Sequence, residues 1–180
     1  MTSRTASLAT IAAVAAVLLT ACSSGEDSTD KPAAKPDPTA QITKTAKAYV
    51  TAWFDSKPMD AKTMCELQTK AARPNFDDDG GTLKGCIAER TDDSPEPAES
   101  GRAPLTIKIT HVQEVPASDA HPAGQGVLAT MHRAGEKPYR YVLRLVKEGS
   151  DQWKIEQTSD VNDRFAHTAD PVAPVLAQYS

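Results

Sequence analysis

The groups in this sequence suited to chemistry are three thiols, four imidazoles and one acidic turn. The thiols are Cys22, Cys65 and Cys86, an odd count, so one of them needs an explanation other than pairing within the chain. There is no C-x-x-C pair and no histidine near a cysteine, which argues against a redox couple or a zinc site. His111, His121, His132 and His167 share no short metal-like spacing. No G-x-S-x-G, H-E-x-x-H, phosphate loop or G-x-G-x-x-G occurs. The acidic turn is Asn75-Phe-Asp-Asp-Asp-Gly-Gly81. Asn75, Asp77 and Asp79, with Gly80 in sixth place, match the first half of a calcium loop. The second half fails, because the twelfth place holds Cys86 and Glu89 comes three residues late. The turn therefore reads as solvated, its aspartates helping to cap the next helix. No metal and no cofactor are expected.

Cys22 closes an apolar run from Leu8 to Leu19 that follows Arg4. The run is short for a membrane span, which needs about 20 apolar residues, and matches the core of a secretory signal. It ends in Leu19-Thr20-Ala21-Cys22, then turns polar at once. This resembles the bacterial lipoprotein signal, and the layout is similar to that of small secreted lipoproteins of actinobacteria. The resemblance implies cleavage before Cys22, a diacylglycerol on its Sγ and a mature chain held on the outer face of the cell membrane. Two acyl chains make such an anchor stable, at roughly 0.8 kcal/mol per buried CH₂. In that compartment the two remaining thiols are expected to be oxidised as a Cys65–Cys86 disulfide. Residues 1–21 are the leader. Residues 22–38 are the lipidated cysteine and a tether of Ser, Asp, Lys and Pro with no large apolar side chain.

From Thr39 a folded pattern begins. Ile42, Ala46, Tyr49, Val50, Trp53 and Phe54 fall on one helical face, which predicts a helix over 40–55 with Thr39 as its cap. Further helices are expected over 60–72, capped by Asp60, and over 82–90. The period then drops to two. Four strands follow, marked by Leu105–Ile109, Val127–Met131, Tyr139–Leu145 and Trp153–Ile155, with Gly-, Pro- and Asp-bearing breaks between them. Short connections favour antiparallel pairing. The fold class is thus α+β, with N-terminal helices packed on a curved four-stranded antiparallel sheet spanning 39–160. The order is similar to the NTF2-like, or cone-shaped, superfamily. The likeness rests on Ala46-Lys-Ala-Tyr-Val-Thr-Ala-Trp53 and Gln152-Trp-Lys-Ile155. A cystatin-like helix-on-sheet arrangement is the alternative. The tail over 161–180 has Val172, Val175, Leu176 and Tyr179 at helical spacing, interrupted by Pro171 and Pro174, and could dock or stay loose.

A pocket in such a cone would be lined by Tyr49, Trp53, Tyr141 and His111, the last continuing the inward set Leu105, Ile107, Ile109. Tyr139 shares the inward set of its strand, while Arg140 and Arg144 lie on the outer face with Val142 and Val146. That outer face could meet a partner or simply be solvated. Some enzymes of the superfamily use a His–Asp or Tyr–Asp pair, but no inward carboxylate falls at a well-placed strand position here. The net charge of −4, without a basic block, argues against nucleic acid. The expected function is non-catalytic binding of a protein partner or small apolar ligand, on a membrane held through the lipid. The alternative is an NTF2-like pocket enzyme or ligand carrier.

Overall fold

The computed structural model describes residues 37–56, 58–74, 81–92, 103–149 and 152–178. The expected leader, Cys22, most of the expected tether, and the turn bearing Asn75, Asp77 and Asp79 lie outside the described residues.

Helix α1 spans Pro38–Phe54. Its cap is Asp37, not Thr39. The Asp37 carboxylate accepts the Thr39 N–H at 2.9 Å, and Pro38 takes the first helical position, where no N–H is needed. Ile42, Ala46, Tyr49 and Val50 form its buried stripe, as their spacing requires. Helix α2, Ala61–Leu67, is capped by Asp60 as expected. The Thr63 hydrogen bonds hold the Asp60 carboxyl below the ordinary carboxylate value. This helix stops well short of residue 72. Gln68 turns extended and bridges Ile155, and the Thr69 N–H goes to the Ile155 carbonyl at 2.9 Å. A sheet edge has taken the backbone groups that another helical turn would have used. Helix α3 covers Leu83–Asp92, with the Thr82 hydroxyl accepting the Gly85 N–H. Cys65 and Cys86 are joined in a disulfide, both sulfurs buried, pinning α2 to α3. Closing a loop of this separation contributes about 3 kcal/mol in the chain-entropy model.

Strands β1 (Thr106–Val115), β2 (Gly124–His132), β3 (Tyr139–Glu148) and β4 (Gln152–Asp160) form one antiparallel sheet in sequence order. The fold class is α+β, with the N-terminal helices against one face of that sheet. On this inner face Val127, Ala129, Met131, Leu143, Leu145 and Ile155 meet Ile42, Ala46, Tyr49 and Val50 of α1. Tyr139, expected inward, is 54% exposed at the start of its strand.

Two irregularities reset which side chains face inward. In β1 the register shifts between Thr110 and Gln113, and His111 adopts φ 55°. Val112 takes the inner position instead, and His111 is turned to solvent. In β4 one residue, Glu156, is extra between the pairs Leu145–Ile155 and Arg144–Gln157. Thr158 and Asp160 thereby pair opposite the inward-facing Leu143 and Tyr141.

The middle of the outer face is covered rather than solvated. Residues beyond 160 belong to the same compact unit as the sheet. After a short 3₁₀ turn at Asp163–Phe165, helix α4, Val172–Gln178, buries Val172, Val175 and Leu176 against Val115, Leu128 and Val142. Pro174 is harmless because it sits in the first turn, whose N–H groups have no intrahelical partner. Arg140 and Arg144, which could have met a partner, tie down this molecule's own backbone. Arg140 donates to the carbonyls of Ala166 and Thr168. Arg144 donates to Pro116, Pro122 and the Gln157 side chain. Gln157 in turn reaches the Leu176 carbonyl. The Asp170 carboxylate accepts from Gln113 and from the Val172 N–H.

Candidate functional site

Aromatic side chains are scarce in this sequence, yet several gather at one end of the inner face. Tyr49 and Trp53 stand one turn apart on α1, and Phe54 follows where that helix ends. Tyr141 reaches them from the inner side of β3. The Trp53 ring lies 5.9 Å from Tyr49, edge to face, 4.6 Å from Phe54 and 5.4 Å from Tyr141. Phe54 and Tyr141 are 5.3 Å apart, so the three rings lean on one another. The end of α1 beneath them is held by Arg133, a buried cation at a helix C-terminus. Its guanidinium donates to the carbonyls of Phe54 and Ala103 and to the Asp55 carboxylate.

Beside the rings the last residues of β4 complete an open cleft of about 320 Å³. Its walls are Trp53, Tyr141, Gln157, Thr158, Ser159 and Asp160. The bulge at Glu156 creates it, since without that extra residue Thr158 and Asp160 would fall on the other face. Tyr49 is fully buried, and its hydroxyl is bonded to the Thr158 side chain. Burial pushes its phenol above the ordinary value, with Thr158 and Arg90 opposing. The Tyr141 phenol is raised too, first by burial and then by the Asp160 carboxylate across the strand pair.

Of the four residues expected around a pocket, the structure thus brings three together. Trp53 and Tyr141 line the cleft, Tyr49 is buried behind Trp53 without lining it, and His111 is elsewhere. At the β1 bulge its Nδ1 lies 3.0 Å from the Thr110 hydroxyl, exposed. The inward alternation breaks just before it, so the pattern Leu105, Ile107, Ile109 does not extend to 111.

No family model, curated protein or solved structure matches this chain. The chemistry of the cleft is therefore that of its own side chains. Two aromatic surfaces and a short polar edge can hold an apolar body and fix one polar end of it. Among the described residues, no group of three or more His, Cys, Asp or Glu side chains is arranged to hold a metal ion.

Asp160 ends the polar run Glu156-Gln-Thr-Ser-Asp160, which has no apolar alternation to give its facing away. Glu156 is 6% exposed, accepts from the Thr69 hydroxyl and lies 3.3 Å from His121 Nδ1. Such a histidine–carboxylate pair could exchange a proton, but neither member lines the aromatic cleft. Its contacts join the segment after α2 to the β1–β2 connection and to β4.

Proposed function

We propose that this chain is a bacterial lipoprotein, anchored through Cys22 on the outer face of the cell membrane. Its domain binds, without catalysis, a small ligand with an apolar body in the Trp53–Tyr141 cleft. The observation that carries the binding part is that cleft, an aromatic-walled opening at the edge of a rigid sheet. The interior supports binding over an NTF2-like pocket enzyme. Where such an enzyme would hold its substrate, Tyr49, Met131 and Leu143 are packed together and buried, and His111 points away. The anchor is supported by Leu19-Thr20-Ala21-Cys22 after its apolar run, and by a tether composition that would hold the domain off the lipid surface. The disulfide fits an oxidising compartment.

Two experiments test the proposal. Cells fed labelled palmitate should label the parent protein, and the Cys22→Ala variant should carry no label. An unlabelled parent that keeps residues 1–21 would end the anchoring part. For the cleft, the neutral apolar dye N-phenyl-1-naphthylamine should brighten on binding the purified chain. Tyr141→Ala should weaken that binding about tenfold, since a ring contact is worth about 1.5 kcal/mol. Dye binding that ignores this substitution, in a variant with unchanged circular dichroism, would refute it.

A further inference from the structure

The cleft has a charge as well as an apolar wall. Asp160 lies at its rim, exposed, directly across the β3–β4 pair from Tyr141. An aromatic ring presents a negative face, and two such rings beside a carboxylate make a surface that attracts a positive charge with poor hydration. Two neighbouring arginines are engaged away from it. Arg140, next to Tyr141 in sequence, points to the opposite face and is bonded to Ala166 and Thr168. Arg133 is buried on the carbonyls at the end of α1 and on Asp55. Arg90 acts on the buried Tyr49, beneath the cleft rather than at the rim where Asp160 is exposed.

We infer that the cleft takes a substituted ammonium group, with Trp53 and Tyr141 against its alkyl substituents and the Asp160 carboxylate as counter-charge. The chain edge supplies the rest of the recognition, with the Thr158 hydroxyl on the same face as Tyr141 and Asp160 as an acceptor for a hydroxyl or N–H on the ligand. A ligand that offers only an anion to the cleft, such as a free carboxylate or phosphate, would meet Asp160 and is excluded. This inference rests on the proposed binding role of the cleft and narrows it to one ligand class.

Choline and 3,3-dimethylbutan-1-ol are nearly isosteric and differ in charge, which makes them the probes. By titration calorimetry on the purified full chain, choline should bind about tenfold tighter than the alcohol. Asp160→Asn, a conservative change at an exposed residue, should bring the two affinities close to equal. Tyr141→Leu, which keeps bulk but removes the ring, should weaken choline about five- to tenfold and the alcohol by clearly less, about twofold. Equal binding of both probes, unaffected by Asp160→Asn, would overturn the inference. If neither probe binds while the naphthylamine dye does so through Tyr141, the ammonium preference fails and the apolar cleft stands. If the dye fails as well, the binding role itself falls. Vesicles with choline or glycerol head groups separate the sources, because preferential binding to the choline vesicles, lost in Asp160→Asn, identifies a lipid head group rather than a free amine as the carrier of the same chemistry.

Discussion

In urea, Arg144→Met is expected to unfold with about 3–5 kcal/mol less free energy than the parent chain. The side chain is 2% exposed, and methionine keeps most of its stem volume. The loss therefore falls on the guanidinium. Its Nη1 donates to the Pro116 carbonyl at 2.6 Å and the Pro122 carbonyl at 2.9 Å, and its Nε to Gln157 at 3.1 Å. Each hydrogen bond from the charged guanidinium is worth about 1.5–3 kcal/mol, and the buried Gln157 oxygen loses that donor. Glu156, whose charge favours the guanidinium against the pull of burial, would lose that neighbour. The effect should reach beyond stability, because Pro116 and Pro122 bracket the β1–β2 connection and Gln157 holds the end of α4. Hydrogen exchange in Arg144→Met should rise in both segments. The control is Arg140→Met, whose bonds lie at the exposed edge of the tail and whose cost should stay under about 1 kcal/mol. Equal and small losses in the two variants would show that the buried guanidinium is not what joins these segments.

How much of this was legible in the residues depends on what each pattern encodes. Helix α1 and the four strands follow from periodicity, because one buried face per element forces apolar side chains to recur at 3.6 or 2 residues. The disulfide is expected from the count of thiols and from the compartment that the N-terminal resemblance implies. What periodicity does not carry is a change of phase. The bulges at His111 and Glu156 each add a residue, and every side chain beyond is carried to the opposite face. Extending the inward set from Ile109 to His111 failed for this reason, and so did recognising Asp160 as a cleft residue. The early end of α2 has a different cause. Gln68 and Thr69 pair with Ile155, almost ninety residues on, and no local signal announces such a partner. Arg144 reads as polar and outward, which is correct, but outward means solvated only when nothing covers the face.

What covers that face is the tail, and its removal is the largest loss expected for this chain. A chain ending at Asp160 gives up the burial of Val172, Val175 and Leu176, each essentially inaccessible to solvent. At about 1.5–3 kcal/mol for each such side chain, the loss is of the order of a whole domain's stability, about 5–15 kcal/mol. It also uncovers Val115, Leu128 and Val142 as a continuous apolar patch and leaves Gln157 without the Leu176 carbonyl. The truncated chain should therefore lack a cooperative thermal transition and should self-associate, whereas the full chain melts as one unit. A gentler form of the same test uses Gly126, which has no Cβ where α4 crosses β2. A Cβ there would lie 2.4 Å from Val172 Cγ1 and 2.8 Å from Val115 Cγ1. Both neighbours are packed, so neither can retreat freely, and Gly126→Ala should cost about 1–3 kcal/mol. Limited proteolysis should then cut Gly126→Ala first between Asp160 and Val172, with the inner-face core intact. A truncated chain that melts cooperatively within a few degrees of the parent would mean that the sheet needs no second layer. Val115, Leu128 and Val142 would then be an apolar surface that the rest of the fold tolerates.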